Sequence, residues 1–141
     1  MLNLLKTLLF ALLLVGCSSE PPIYVLATDL CNEKYKNKII ITEGLILLPS
    51  SFYTMNGSVT MSLGVEKTHE KIPSLSIKTW GDKKNIMEPL NDGYTENDVI
   101  IYDDNGKIIP LGAKVRVTGK LAGGSKTWCE VYVDKIEQVN N

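Results

Sequence analysis

The chain has 141 residues, with 15 Lys and Arg against 16 Asp and Glu and a formal net charge of −1. That balance lacks the clustered basic footprint of a general nucleic-acid binder. His69 is the only histidine and the three cysteines are far apart, so zinc-ligand spacing is absent as well.

Met1–Lys6 carries one positive charge, Lys6, and Thr7–Val15 is almost entirely Leu, Phe, Ala and Val. A charged segment, an apolar run and a small residue, Gly16, form the layout of a secretory signal. The run is too short to span a hydrocarbon core, which takes about 20 residues. Leu14-Val15-Gly16-Cys17 resembles the lipobox of bacterial lipoproteins at every position. The resemblance implies diacylation of the Cys17 sulfur with palmitate-type chains, cleavage before Cys17 that removes residues 1–16 as a signal peptide, and usually acylation of the new N-terminus. Two or three acyl chains hold a soluble domain stably at a membrane, whereas one does so only marginally. Ser18-Ser19 follow, with no Asp after the cysteine, which by the same resemblance implies the outer membrane, facing the periplasm. Residues 17–22 then form a tether, and 23–141 form one domain of about 120 residues, enough for a single core. With Cys17 assigned to lipid, Cys31 and Cys129 remain. In an exported protein this even pair reads as a disulfide, the alternative being two buried free thiols.

Along the domain, Leu26–Tyr35 reads as a short helix, capped by Thr28 or Asp29, with Leu26, Leu30 and Cys31 on one side. Lys38–Leu48 is a long β run with Gly44 at a bulge or bend. Pro49–Gly57 is a loop carrying Phe52 and Tyr53. Ser58–Val65 alternates, with Val59, Met61, Leu63 and Val65 inward. Glu66–Pro73 is a polar connection. Ser74–Trp80 alternates again, with Leu75 and Ile77 inward and Ser76, Lys78 and Trp80 outward. Gly81–Asp98 is mixed and turn-rich. Asp103-Asp104-Asn105-Gly106 between Val99–Tyr102 and Lys107–Ile109 is a strong hairpin signal. Lys114–Leu121 alternates with Val115 and Val117 inward and Lys114, Arg116 and Thr118 outward. Ala122–Trp128 is a glycine-rich turn, and Cys129–Val139 is the last strand, with Val131 and Val133 inward.

Five main strands with a bent, Gly-containing first strand predict a small closed barrel. The entry Leu30…Tyr35-Lys36-Asn37-Lys38-Ile39-Ile40-Ile41-Thr42-Glu43-Gly44, the strand Leu111–Leu121 and the closing Val131–Ile136 resemble the OB-fold, in particular the small OB-fold proteins of the bacterial envelope. The expectation is a mainly β domain: a five-stranded OB-like barrel with a short N-terminal helix and an extra β-hairpin. One departure is that Gly81–Pro110 reads as loop plus hairpin where OB-folds often carry a helix. An antiparallel sandwich is the alternative.

No catalytic constellation stands out. His69 lies in the polar string Glu66–Lys71, where a solvated loop residue is expected. Asp103-Asp104 reads as turn chemistry. Asp92, Glu96 and Asp98 lack calcium-loop spacing. An OB-fold nuclease would need acids with arginines, and Arg116 is the only arginine. No enzyme, cofactor or metal is therefore expected. The OB resemblance implies a ligand face on the second and third barrel strands, flanked by two loops. Its candidate residues are Phe52, Tyr53, Thr60, Ser62, Ser76, Lys78, Trp80, Arg116 and Trp128. The expected function is a membrane-tethered binding module holding an envelope protein, peptide or glycan, with nucleic acid not expected. The alternative is a structural subunit of an envelope or secretion assembly.

Overall fold

The computed structural model describes residues 20–48, 54–55, 57–65, 73–125 and 128–140. The expected signal segment, Cys17, Phe52, Tyr53 and His69 lie outside the described residues. The described strands are β1 (Ile23–Tyr24), β2 (Ile39–Leu47), β3 (Thr54–Met55), β4 (Ser58–Gly64), β5 (Ser74–Lys78), β6 (Ile86–Met87), β7 (Ile101–Tyr102), β8 (Ile108–Ile109), β9 (Lys114–Ser125) and β10 (Trp128–Gln138).

Five of them close a barrel. β2 pairs with β4 and β9, β9 with β10, β10 with β5, and β5 returns to β4. The β4–β5 pairing completes the ring, which decides for a barrel over a sandwich. All these contacts are antiparallel except β5–β10, which is parallel. Closure depends on β2 changing partner partway along. Ile39–Leu45 pair with β9, and Leu45–Leu47 pair with β4. Gly44 sits at the change. A Cβ there would lie 2.7 Å from the Gly64 carbonyl oxygen, so only glycine lets the two strands approach this closely.

The alternation foreseen for the long strands forms the core. Ile40, Ile46, Val59, Met61, Leu63, Leu75, Ile77, Val115, Val117, Leu121, Val131, Val133 and Ile136 are all buried in one cluster. Each such side chain contributes roughly 1.5–3 kcal/mol on leaving water. The two inward residues Val133 and Ile136 are three apart because β10 carries a bulge, with two residues opposite one between Val133 and Lys135.

The expected N-terminal helix over Leu26–Tyr35 is not formed. Two short 3-10 turns stand there, Ala27–Asp29 and Glu33–Tyr35. Asn32 between them is extended, and its side chain accepts a bond from the Lys34 N–H at 3.1 Å, capping the second turn and ending the first. Ten residues are also too few to propagate a helix unaided. Neither Thr28 nor Asp29 serves as a cap; Leu26 holds that position without a side-chain bond. Leu30 still inserts fully into the core, and Cys31 forms a disulfide with Cys129 across 5.1 Å between Cα atoms.

The stretch between β5 and β9 is a strand-and-turn insertion. β6 pairs with β5 and β7, and β7 pairs with β8 in the foreseen hairpin. Asp103 Oδ1 accepts from the Asn105 and Lys107 N–H groups, both at 2.8 Å, and Gly106 takes φ +77°. In the turn-rich part, Thr95 and Asp98 form a capping box. Those bonds hold the Asp98 carboxyl below its ordinary range and employ it structurally. Asn85, with φ 55°, docks the insertion on the barrel. Its amide donates to Asp104 at 2.8 Å and accepts from the Ile136 N–H at 2.9 Å.

Candidate functional site

A cleft of about 570 Å³ opens on the outer face of β4, β5 and β10. That size suits small-ligand or side-chain recognition. Its walls follow from strand alternation. Where Leu75 and Ile77 are fully buried, Ser76 and Lys78 face the other way, and Trp80 follows just beyond the strand end. Where Cys129, Val131 and Val133 are buried, Trp128, Glu130, Tyr132 and Asp134 face the cleft. Ser58 and Thr60 of β4 complete the lining.

Three rings stand out of this surface: Trp80 is 63% exposed, Trp128 52% and Tyr132 49%. The two tryptophans are held in place. The Thr79 N–H and hydroxyl both donate to the Gly57 carbonyl at 2.8 Å, pinning the segment that carries Trp80. A Cβ on Gly57 would come within 3.1 Å of the Trp80 ring. The Trp128 ring lies so close over Gly123, on the neighbouring strand, that a Cβ there would clash with it. Lys78 Nζ sits 5.5 Å from the Trp80 ring centroid in a cation–π contact.

The floor is polar. Ser76 Oγ donates to Ser58 Oγ at 3.0 Å. Ser76, expected outward, is on the outer face but buried, because its strand is flanked by β4 and β10 on both sides. Glu130 is half-buried, which pushes its carboxyl above the ordinary range, while a bond with the Thr60 side chain pulls the other way. A second hollow of about 300 Å³ shares Lys78, Trp80, Val133 and Asp134 and runs on past Asp82, Lys84 and Asn85. The two together make an elongated groove.

Of the candidate ligand-binding residues, Thr60, Ser76, Lys78, Trp80 and Trp128 come together here. Trp128, expected in a turn, is the first residue of β10, because β9 and β10 run on to Ser125 and Trp128. Ser62 and Arg116 do not line the groove. Ser62 stands opposite Ser74 and Leu47. Arg116 donates from Nε to Glu43 at 2.8 Å and pairs with it again through Nη2 at 2.7 Å. That bond first, with the nearby charges of Arg116 and Lys114, holds the Glu43 carboxyl below its ordinary range despite some desolvation. Glu130, Tyr132 and Asp134 are lining residues beyond the sequence candidates. Their signal is the outward half of the same alternation that identifies Val131 and Val133. Among the described residues, no cluster of His, Cys, Asp and Glu is placed to hold a metal ion.

No family model matches the sequence, and no curated protein matches it. Solved structures do superpose on it. An aspartyl-tRNA synthetase of Leishmania major Friedlin superposes with a TM-score of 0.50 at 14% identity, over 89% of this chain and 22% of that one. Asparaginyl-tRNA synthetase from Pyrococcus horikoshii, complexed with asparaginyl-adenylate, gives 0.47 at 13% identity over 82% of this chain and 22% of that one. The S. pombe Stn1-Ten1 complex gives 0.40 at 12%, over 73% and 59%. The chain thus spans about a fifth of the length of either synthetase. The first of these superpositions, together with the five-stranded closed barrel, supports an OB-like fold.

Proposed function

We propose that this chain is a non-enzymatic binding module, tethered by lipid at Cys17 to a bacterial envelope membrane, facing the periplasm from the outer membrane, and holding a protein, peptide or glycan partner in the OB-type groove. The observation that supports it is the joint exposure of Trp80, Trp128 and Tyr132 around one polar cleft. Large exposed rings cost solubility, and their clustering in a concave site suits stacking on a ligand. The groove carries Glu130, Asp134 and Asp82 against Lys78 and Lys84, an unfavourable balance for phosphate. The lipobox supports the tether.

The test is a pull-down from native envelope membranes with full-length protein and with the Trp80→Ala/Trp128→Ala double variant. The reading expects partner capture by the native protein, loss of capture in the variant, and a melting temperature within a few degrees. A sharp fall in melting temperature makes the rings structural and overturns the groove reading. For the tether, mass spectrometry should find an acylated Cys17 at the mature N-terminus; an unmodified terminus elsewhere refutes it.

A second reading, a structural subunit of an envelope assembly, is supported by β8. It lies at the end of the sheet path, and its Ile108 is well exposed. An Ile108→Lys variant that loses a co-purifying complex, while the double Trp variant keeps it, favours this reading.

A further inference from the structure

The outward face of β10 reads Trp128, Glu130, Tyr132, Asp134: aromatic, acid, aromatic, acid. Outward residues of a strand recur every two positions, about 6.8 Å apart. Both ends of this ladder are marked by irregular pairing with β9, between Trp128 and Glu130 and between Val133 and Lys135. Bulges of this kind re-aim side chains and concentrate beside binding sites. The second of them presents Asp134 to both halves of the groove.

The two acids are available. Among the described residues, the ion pairs of this chain involve Glu43, Glu88, Asp104 and Glu137, and neither Glu130 nor Asp134 takes part. The same holds for the rings: Lys cations stand over Tyr35, Trp80 and Tyr102, and none over Trp128 or Tyr132. Lys78 beside them is already engaged on Trp80. A half-buried carboxylate without a cation is unfavourable to folding, because burial opposes its charge. Sites that keep such a group at the expense of stability are characteristically functional ones.

From this arrangement we infer that the groove is a receptor for an extended cationic peptide segment, whose Lys or Arg side chains lie between the Trp128 and Tyr132 rings and the Glu130 and Asp134 carboxylates. A peptide in extended conformation repeats its side chains on one face at the same 6.8 Å spacing as the ladder. Each cation then meets a ring face and a carboxylate together, an arrangement worth more than either contact alone at an exposed site. The groove's length, running from Trp128 past Trp80 to Lys84, fits a chain of several residues better than a single small molecule. This inference rests on the groove being the binding face.

The chain has two tryptophans, and both line the groove, so tryptophan fluorescence, excited selectively over tyrosine, reports on this site. The experiment titrates full-length protein in neutral detergent with hexa-arginine and hexa-lysine, and in parallel with hexa-glutamate, a neutral hexasaccharide and a single-stranded oligonucleotide. The expected result is a saturable fluorescence change with the cationic peptides, weakened by salt and absent with the other three. Glu130→Gln and Asp134→Asn should each weaken binding about five- to tenfold. Glu130→Gln should leave the melting temperature unchanged or higher, a result a merely structural glutamate does not give. Binding of the neutral hexasaccharide or the oligonucleotide without the cationic peptides overturns the cationic-ligand inference but keeps the groove as the binding face. Cationic binding that is unaffected by both acid substitutions also overturns it. No response to any probe, with melting temperature lost in the Trp variants, overturns the groove reading itself.

Discussion

Opening the Cys31–Cys129 disulfide is the most exacting test of how this barrel is held. The bond closes a loop with a sequence separation of 98. In the chain-entropy model a crosslink of that span restricts the unfolded chain by about 4.7 kcal/mol, and native disulfides commonly realise 2–4 of it. The local structure argues for a large share. The two 3-10 turns of residues 27–35 make few regular contacts of their own, and their anchor is Leu30, buried in the core next to Cys31. On the other side, Cys129 is buried at the start of β10, the strand shared by β9 and β5. Reduction therefore frees the cover of the barrel and loosens the end of a central strand. For a domain of about 120 residues, 2–4 kcal/mol is a fall in melting temperature of roughly 6–20 °C. The clean comparison is the native protein melted with and without a thiol reductant, since this keeps both sulfur atoms and leaves no cavity. A Cys31→Ala/Cys129→Ala variant should fall further, because a small void adds to the lost crosslink. If the protein, with two free thiols confirmed by alkylation, melts within about 2 °C of the oxidised form, the crosslink does not hold the fold and this reasoning is wrong.

Two further predictions come from the barrel strands. Thr42 is fully buried in β2, and its hydroxyl has no hydrogen-bond partner among the described residues; Thr42→Val should raise stability by about 1 kcal/mol, read as a higher denaturation midpoint at constant slope, and a lower midpoint refutes it. Glu43 is held below its ordinary pKa by Arg116 and Lys114, so its contribution is present above the unfolded-state value, about 4.3, and is lost as pH falls through the lower folded value. Asp98 and Asp104 shift the same way. Melting temperature should therefore decline as pH falls below about 4.3, and Glu43→Gln should shrink that decline without removing it; identical pH profiles for the two proteins would sink the idea.

What could be read from the sequence was what repeats at short range. Val59, Met61 and Leu63, Leu75 and Ile77, and Val131 and Val133 announce their burial by period-2 alternation, and the same rule leaves Lys78 and Trp80 outside. Asn105-Gly106 announces its hairpin by turn chemistry alone. The elements that escaped depend on distant partners. The groove lies where β5 meets β10 in parallel, with Ser74 opposite Glu130, a pairing that no local pattern encodes. β6 is two residues long and has too little pattern to detect. The helix expected at Leu26–Tyr35 fails because Asn32 uses its side chain to cap the next turn and because Cys31 is committed to Cys129. Tyr132 and Asp134 were present as the polar half of an alternation whose apolar half carried the strand assignment.

Asn85 shows how one side chain can couple the insertion to the barrel, and it gives a separable prediction. Its carbonyl oxygen takes the Ile136 N–H, and its amide nitrogen holds Asp104, which also meets Lys135 at 3.6 Å. Its backbone is left-handed, with φ 55°, a region asparagine tolerates better than alanine. Asn85→Ala therefore removes two bonds and adds backbone strain. Leaving a donor unpaired costs about 1–3 kcal/mol, and the strain about 1–2 more. Asn85→Gly relieves the strain and still loses the bonds, so it should fall between the native protein and Asn85→Ala. Denaturant midpoints order the three proteins, and hydrogen exchange at Ile136 separates the causes: its amide should lose protection in both variants. Equal stability of the glycine and alanine variants would remove the strain component. A protected Ile136 amide in both would show that the insertion is held by the β5–β6 pairing and the Asp104 contacts with Ile136 and Lys135. The hollow past Lys84, which Asn85 lines, would then be shaped by those contacts and not by this side chain.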